Sequence, residues 1–466
     1  MILTSPKFLF ALIAITSVSI FFWPSPVGID PHIMKGAAVI ILAIGLWSTA
    51  VVSPSFGSLI FLFIAVVLAI APAKVVFSGF HSGATWLVFG GLILGLGVKK
   101  TGLDTRLVRS FLEYFPQAYI AMIYGVFWVG MSLALIIPSA SGRVALLVPI
   151  MAALAKELGF DVKTARLGKG RTGLILAASM GTMVPAFNIL PANVPNMALY
   201  GAADSVLDIQ LTFTDYFLLN FPVMGLFPLL VYPAVIAFLF YDVPNFQEKK
   251  QISKPWSGDE RRLLTVLLFA LVLWVTDSLH GISPAWVSLG AAIICLFPGV
   301  GVLSPNVLGG EINYSPVLFL VGVIGLGAVA NHVGLGTLIA ENILNILDLK
   351  KGADFQNYAS ISITGMIIGL FTTMPAQPPI MVAMASVLAE ATGWSQMSVI
   401  MTAVTAWGVF PFFYQAPPVV VAVTLGNLRI SDVTKMLVLY MIVGVLLKLP
   451  LHFIWGQYVG KFIAIN

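Results

Sequence analysis

LALIIPSASGRVALLVPI, residues 133–150, interrupts an apolar segment with Pro-Ser-Ala-Ser-Gly and places an arginine directly after it. The surrounding segment 119–155 is apolar on both sides of this interruption. Each side has about 15 residues, whereas a helix needs roughly 20 to cross about 30 Å of hydrocarbon. The interruption at Pro138–Gly142 therefore predicts a re-entrant hairpin, which enters the membrane and leaves it on the same side.

The composition of the whole chain indicates a polytopic membrane protein. Of 466 residues, 59% are hydrophobic and 9% are charged, and the mean hydropathy is +1.00. A soluble globular chain carries about 25% charged residues, so a water-soluble body is excluded. We interpret the net charge of +5 as a topology signal and predict no nucleic-acid partner. Cys295, the single cysteine, cannot form an internal disulfide.

Three further apolar segments are interrupted in a similar way. Segment 357–393 is broken near Pro375–Pro379 and is predicted to form a second re-entrant hairpin. Segments 173–201 and 396–427 carry prolines and amides at their centres and are predicted to form interrupted helices. Non-helical backbone is tolerated in a bilayer only where it is packed in protein or lines a wet cavity. The four interruptions are therefore predicted to meet at one site.

The two halves of the chain repeat, and the charges of the loops predict inverted topology. WLVFGGLILGLGVKKTGLDTRL from Trp86 resembles LFLVGVIGLGAVANHVGLGTLI from Leu318, and a hairpin and an interrupted helix follow each. Loops 99–117, 156–172 and 242–262 carry four, five and five Lys/Arg, whereas loop 202–216 carries none. Cytoplasmic loops collect Lys/Arg, so alternation predicts a cytoplasmic N-terminus and a C-terminus outside.

The predicted fold is an all-α polytopic membrane protein with 11 transmembrane helices and two re-entrant hairpins in two inverted-topology repeats. Inverted repeats with broken helices are a transporter architecture whose substrate site lies near the bilayer midplane. The predicted divisions are an N-terminal extra helix at 1–32, a first repeat at 33–241, a cytoplasmic linker at 242–262 and a second repeat at 263–466.

The order of these elements and their motifs resemble the divalent anion/sodium symporter family. That family carries Ser-Asn-Thr at each hairpin tip; here the tips read Ser139-Ala140-Ser141 and Pro375-Ala376-Gln377. Its Gly-Thr-Pro-Pro-Asn motif appears as Ala192-Asn193-Val194-Pro195-Asn196 and Gln415-Ala416-Pro417-Pro418-Val419. The resemblance implies transport of dicarboxylates, citrate or sulfate, a homodimer, elevator-type motion and two sodium ions beside the anion. Alanine replaces both tip asparagines, which argues against sodium coupling. A bound sodium ion stays open as an alternative.

Arg143 is the residue for which we expect the most direct role. A charge at the bilayer centre is costly and usually marks a substrate path, and the guanidinium fork suits carboxylate or sulfate oxygens. We expect Arg143 to supply the positive charge that sodium supplies in relatives; the structural alternative is that it bonds a carboxylate or the carbonyls of a helix end. The predicted substrate-binding residues are Ser139, Ala140, Ser141, Gly142, Arg143, Asn193, Asn196, Thr373, Ala376, Gln377, Gln415 and Pro417.

The sequence thus predicts a secondary active transporter, in a bacterial inner (plasma) membrane, for a di- or tricarboxylate-type organic anion, with sulfate as an alternative. The expected partners are this small anion, the lipid bilayer and a second copy of the chain; no catalytic residue, cofactor or metal site is predicted. A cation/proton or metalloid antiporter of the same superfamily stays open, as does the membrane subunit of a binding-protein-dependent anion transporter. Coupling by exchange, by protons or by sodium is also left open.

Overall fold

The computed structural model describes residues 6–106, 118–135, 137, 139–160, 168–244 and 255–464. Within these ranges the secondary structure is helical and no strand is present. The apolar composition explains this outcome, because a helix satisfies its backbone hydrogen bonds within one segment where no water is available. The predicted all-α class is confirmed for the described part of the chain.

Helices of the first half run up to the predicted linker. They are α1 (Pro6–Phe22), α2 (Pro31–Thr49), α3 (Pro54–Val67), α4 (Ala73–Val76), α5 (Ser78–His81), α6 (Gly83–Thr101), α7 (Tyr119–Ala134), α8 (Ala140–Glu157), α9 (Lys169–Met183), α10 (Val194–Leu207), α11 (Phe213–Asn220) and α12 (Phe227–Phe240).

Helices of the second half follow the linker. They are α13 (Gly258–Val275), α14 (Asp277–His280), α15 (Pro284–Leu296), α16 (Ser315–His332), α17 (Leu335–Leu344), α18 (Asp354–Phe371), α19 (Gln377–Thr392), α20 (Gln396–Trp407), α21 (Pro417–Gly426), α22 (Ile430–Val443) and α23 (Leu449–Tyr458).

π-helical segments join two pairs of helices into longer rods, which the sequence analysis did not predict. Phe221–Leu226 links α11 to α12, and Gly444–Lys448 links α22 to α23. The resulting rods span Phe213–Phe240 and Ile430–Tyr458. A π-segment adds an extra residue to a turn and often marks a functional position. Both rods directly follow an interrupted helix along the chain.

Four of the described helices are long and apolar enough to cross a membrane: Pro31–Thr49, Phe213–Phe240, Ser315–His332 and Ile430–Tyr458. Other apolar helices are shorter, with 10–17 residues. The apolar character of the described helices agrees with an integral membrane protein, and the count of 11 crossings stays a prediction.

Aromatic contacts bring the two ends of the first predicted hairpin together. The ring of Tyr119, at the start of α7, lies 5.7 Å from the ring of Phe160, which follows α8. The Tyr119 hydroxyl also donates to the carbonyl oxygen of Gly170 at 3.3 Å. The chain therefore reverses direction between α7 and α8. Of the predicted interruption, Pro138 lies outside the described residues, and α8 begins at Ala140.

The second predicted hairpin closes in the same manner. Trp394 Nε1, just past α19, donates to Asp354 Oδ1 at the start of α18 at 2.8 Å. The observed interruption lies slightly earlier than predicted, because α19 already begins at Gln377. Pro378 and Pro379 lie in its first turn, where a proline costs no helical hydrogen bond.

Interrupted helices occupy both predicted segments. The first runs as α9, two short 3₁₀ turns at Pro185–Asn188 and Leu190–Ala192, and α10. The second runs as α20, a 3₁₀ turn at Phe413–Gln415, and α21. The prolines within these segments explain the breaks, since proline lacks the N–H that a helix interior requires.

An ion pair joins two of the loops, 99–117 and 242–262, that the Lys/Arg counts assign to the cytoplasm. Lys100 pairs with Glu311 and Arg106 pairs with Glu260, each at 2.7 Å. A different set of contacts joins the acidic loop 202–216 to the turn after α13, where the Thr214 hydroxyl donates to Asp277 at 2.9 Å. Loop 99–117 is therefore a neighbour of loop 242–262, and loop 202–216 is a neighbour of the turn after α13.

Small residues set the close packing of the helices. A Cβ added at Gly90 of α6 would lie 2.6 Å from the Ser288 carbonyl oxygen of α15, and one at Gly130 of α7 would lie 2.5 Å from the Gly181 carbonyl carbon of α9. Membrane helices associate through such small residues because lipid provides no hydrophobic drive between them. The glycine-rich segment from Gly90 thus packs helices.

Candidate functional site

All four interruptions contribute to one small internal cavity. Its volume is about 50 Å³. The tip of the first hairpin, the tip of the second hairpin and both interrupted helices each supply part of its wall. The lining residues are Ser139, Ala140, Ser141, Met183, Phe187, Asn193, Val194, Pro195, Met374, Pro375, Pro417 and Pro418. Interruptions that lie far apart in the sequence therefore meet at one place.

Three helices begin at or beside this cavity without a side-chain cap. They are α10, which follows Asn193, α19, which follows Ala376, and α21, which follows Ala416. The first N–H groups of a helix have no partner within it and carry a partial positive charge. Prolines in their first turns carry no N–H, so these ends offer an anion the positive end of the helix dipole and few free backbone donors. The fourth helix, α8, is capped by Ser139, whose Oγ accepts from Gly142 N at 3.1 Å.

A larger cavity of about 630 Å³ adjoins the small one. The two cavities share Ser139 and Val194 in their walls. At its far end the larger cavity reaches the charged residues Lys99, Asp104 and Glu311. Its volume falls in the range of about 300–1,000 Å³ that small-molecule sites occupy. Its lining extends from the charged residues Lys99, Asp104 and Glu311 to Ser139 and Gly142 at the tip of the first hairpin.

Arg143 is fully buried, and its guanidinium bonds backbone oxygens rather than an acid. Nη1 donates to the carbonyl oxygens of Ile137 and, at 3.0 Å, of Ala192. Nη2 donates to the Thr182 carbonyl oxygen at 2.6 Å and to Asn193 Oδ1 at 3.3 Å. Nε has no hydrogen-bond partner. The guanidinium therefore joins the first tip to both sides of the break in the first interrupted helix.

This geometry matches the structural alternative for Arg143, in which it satisfies the carbonyls of a broken helix. Arg143 is not part of the wall of either cavity. Among the described residues no ion pair neutralises it. A positive charge is nevertheless fixed directly behind Asn193, which does line the small cavity. Direct contact between Arg143 and a substrate stays a prediction.

Two predicted asparagines differ in position. Asn193 lines the small cavity, accepts from Arg143 and donates through Nδ2 to the Met183 carbonyl oxygen at 3.3 Å. Asn196 is turned away and donates to the carbonyl oxygens of Ala186 and Ile189, at 3.3 and 2.7 Å. Its buried Oδ1 has no hydrogen-bond partner. Asn196 thus holds the freed backbone of the break rather than the cavity wall.

Glutamines of the second tip and second break tie the backbone to α18. Gln377 Nε2 donates to the Gly365 carbonyl oxygen at 2.5 Å, and Gln415 Nε2 donates to the Gly369 carbonyl oxygen at 2.7 Å. Thr373, Ala376, Gln377 and Gln415 are absent from the walls of both cavities. The buried Thr373 hydroxyl has no hydrogen-bond partner.

The predicted residues that the small cavity does bring together are Ser139, Ala140, Ser141, Asn193 and Pro417, while Gly142 lines the larger cavity. Several apolar lining residues were missed, because a Met, Phe or Pro in an apolar segment carries no sequence signal of its own. They are Met183, Phe187, Val194, Pro195, Met374, Pro375 and Pro418. Among the described residues no group of three or more His, Cys, Asp or Glu could hold a metal ion.

Comparisons with known proteins place this fold and site in a family. Residues 4–462 match the family described as "Sodium:sulfate symporter transmembrane region". A "Membrane protein" of Cupriavidus necator is 23% identical over 385 residues, which cover 78% of this chain and 74% of that protein. The inner membrane protein YbhI of Escherichia coli K12 is 23% identical over 326 residues, 68% of each chain.

A relative with a named activity is the L-tartrate/succinate antiporter of Escherichia coli K12, which is 26% identical over 284 residues. The match covers 57% of each chain, so this chain spans little more than half of that relative. Among solved structures, the Alcanivorax borkumensis YdaH transporter aligns with a TM-score of 0.53 at 12% identity, over 98% of this chain and 99% of that one. This likeness shows a shared fold alone. Because the family match extends over nearly the whole sequence, the chain belongs to the sodium:sulfate symporter family, the divalent anion/sodium symporters, whose members are anion transporters.

Proposed function

We propose that this protein exchanges small dicarboxylate anions across the membrane by alternating access and does not require sodium. The observation that carries the proposal is the convergence of four interruptions on one cavity, with uncapped helix N-termini around it and a buried arginine behind it. The cavity walls and the larger adjoining cavity would form the substrate site and its access route.

Electrostatics favours an anion at this site. Helix N-termini carry partial positive charge, and Arg143 adds a full unit charge that no acid among the described residues neutralises. Among the described residues that line the small cavity there is no Asp or Glu. A cation antiporter, the main alternative of the sequence analysis, would need such carboxylates, so the described residues support anion transport.

The chemistry of the lining favours a dicarboxylate over an inorganic anion. The cavity at the tip is lined by the hydroxyls of Ser139 and Ser141 and by apolar Met, Phe and Pro side chains. Hydroxyl and amide donors suit the carboxylates, and the apolar side chains suit the carbon chain between them. The similarity to an L-tartrate/succinate antiporter agrees with this choice, and sulfate stays an alternative substrate.

Exchange, rather than sodium symport, follows from the changed tips. Alanine stands at positions 140 and 376, where the family has the asparagines of its Ser-Asn-Thr motifs. A fixed guanidinium replaces the need for a cation bound together with the substrate. We further propose that the two hairpins are re-entrant, that the repeats are inverted, and that hairpins and interrupted helices move together as an elevator within a homodimer.

The test is counterflow in liposomes. Purified protein is reconstituted with internal succinate, L-tartrate, citrate or sulfate, and uptake of labelled succinate is followed in sodium buffer and in choline buffer. We expect uptake that needs an internal dicarboxylate and is equal in both buffers. Strict dependence on external sodium would refute the exchange mechanism. Folded protein that moves none of these anions would refute anion transport itself.

A second experiment tests the hairpin topology. Single cysteines are introduced at exposed positions next to the hairpin ends, in a Cys295→Ser background, because Cys295 is the only native cysteine. Ala118→Cys and Glu157→Cys should both react with an impermeant maleimide from the cytoplasmic side. Gln356→Cys and Glu390→Cys should both react from outside. Labelling of the two members of either pair from opposite sides would exclude a re-entrant hairpin there.

A further inference from the structure

A second cation, Lys448, is buried in the C-terminal rod. It closes the π-helical segment Gly444–Lys448 and has no exposed surface. Its Nζ donates to the carbonyl oxygen of Gly408 and to the Tyr440 hydroxyl at 3.2 Å. Nζ also lies 4.9 Å from the centre of the Tyr440 ring and 5.9 Å from that of Tyr232. No ion pair involves Lys448 among the described residues.

Hydrogen bonding alone does not account for this lysine. The Gly408 carbonyl oxygen also accepts from the Tyr440 hydroxyl, so it keeps a donor when Lys448 is removed. A neutral side chain of similar length would fill the same space without the cost of burying a charge. The charge at position 448 therefore calls for an explanation other than local stability.

Its position relative to the second interrupted helix supplies that explanation. Gly408 directly follows α20, the first half of this helix, while the second half, α21, begins at the small cavity with Pro417 and Pro418. In the first interrupted helix, Arg143 bonds the Thr182 carbonyl oxygen near the end of α9. Each first half therefore ends on a buried cation, which complements the negative end of a helix dipole.

The two cations come from unrelated elements. Arg143 is carried by the first hairpin, whereas Lys448 is carried by the last rod of the chain. The repeat alone would not place them at matching helix ends. In transporters of this type, unwound carbonyls and the C-terminal ends of half-helices coordinate the coupling cations. Here protein side chains occupy both positions.

We propose that Lys448 is a charge-compensating residue of the transport site, and that Lys448 and Arg143 together provide the two positive charges that balance a dianionic substrate. The inference rests on the proposed function and extends it, because it assigns the preference for a dianion over a monoanion to a residue that lines neither cavity. Lys448 acts on the substrate through its electric field and touches it nowhere.

The test compares a dianion with a monoanion of the same length. Exchange of succinate and of its monoamide, succinamate, is measured for the wild type, Lys448→Met, Lys448→Gln and Lys448→Arg in liposomes, at a pH where both carboxylates of succinate are ionised. Lys435→Met is the matched control, since Lys435 is an exposed lysine of the same rod. Fluorescence-detected gel filtration establishes that each variant is folded.

Lys448→Met and Lys448→Gln should lower the ratio of kcat/KM for succinate to that for succinamate by about tenfold, because at an effective dielectric constant of about 20 the lost unit charge acts on two carboxylates of succinate and on one of succinamate. Lys448→Arg and Lys435→Met should keep the wild-type ratio. A folded neutral variant with the wild-type ratio would overturn the inference. The inference would also be overturned if both neutral variants aggregate while Lys448→Arg is monodisperse, because the charge would then be required for folding. A wild type that moves no dicarboxylate would instead overturn the proposed function.

Discussion

Replacing Arg143 by methionine separates the structural role of this residue from its electrostatic role. The substitution keeps an unbranched side chain of similar reach and removes the charge and all donors. In the wild type these donors serve the carbonyl oxygens of Ile137, Thr182 and Ala192. Leaving a buried carbonyl without its donor costs about 1–3 kcal/mol, so the three together amount to about 3–9 kcal/mol.

Removal of the buried charge offsets part of this loss. An ion that is buried without a counter-ion carries a desolvation penalty of several kcal/mol, and Arg143 has no exposed surface. We therefore expect a net destabilisation of about 3 kcal/mol for Arg143→Met. In a chain of 466 residues that corresponds to a fall in Tm of roughly 3 °C. Thermal unfolding of the detergent-purified protein, followed by tryptophan fluorescence, measures it.

Transport activity gives the second half of the result. Dicarboxylate exchange by folded Arg143→Met should fall to the limit of detection or below it, because the site loses its fixed positive charge. Arg143→Lys keeps the charge with fewer donors and should retain measurable exchange. Its Tm should fall by less than half as much as that of Arg143→Met. Arg261→Met, at an exposed arginine, is the control. Wild-type Tm together with wild-type exchange in Arg143→Met would refute both parts of the reasoning.

Three further predictions test the packing and the tips. Gly130→Ala should lower the free energy of unfolding by about 2 kcal/mol, because its Cβ would lie 2.5 Å from the backbone of α9 and overpacking costs about 1–3 kcal/mol. Gly290→Ala, which has open space around its Cβ, is the control. It should be neutral or stabilising in the same thermal unfolding assay. Ser139→Ala should lower the free energy of unfolding by about 1 kcal/mol, because α8 loses its cap. Ser139→Asp should keep the cap. It should raise the KM for succinate in counterflow, because it places a negative charge in the cavity wall. Gln377→Leu should lower the Tm by removing the buried hydrogen bond from Gln377 Nε2 to the Gly365 carbonyl oxygen of α18, with no change in KM for the protein that remains folded. A changed KM would put this side chain in the substrate site.

The sequence was sufficient for the order of the elements because the relevant signals are local. Prolines, small residues and amides inside apolar segments located the breaks in both predicted hairpins and in both interrupted helices, and α8 begins within the predicted interruption of the first hairpin. The observed helix boundaries differ from the predicted ones by a few residues where a proline begins a helix rather than ending one, as at Pro378 and Pro379. The two π-helical segments were missed, since they depend on packing between helices and not on residue type alone.

The partners of the polar residues could not be read from the sequence. Arg143 bonds residues 6, 39, 49 and 50 positions away, and only the folded chain brings these groups to one guanidinium. Gln377 and Gln415 had the same local appearance as Asn193, yet both bond α18 while Asn193 lines the cavity. Lys448 was missed although it is an isolated charge in an apolar rod, which is itself the signal that could have found it.

Fixed positive charge in the site has a consequence for coupling. A bound sodium ion can leave with the substrate, so a sodium symporter returns with a site of low net charge. Arg143 cannot lose its proton under ordinary conditions, and it bonds backbone that belongs to both the tip and the interrupted helix. An empty site would carry this uncompensated charge through a region of low dielectric constant, which is costly. The loaded site, in which an anion neutralises the charge, crosses more easily, so movement in each direction requires a bound anion. We therefore propose obligate exchange, because the positive charge is attached to the protein itself and not to an ion that travels with the substrate.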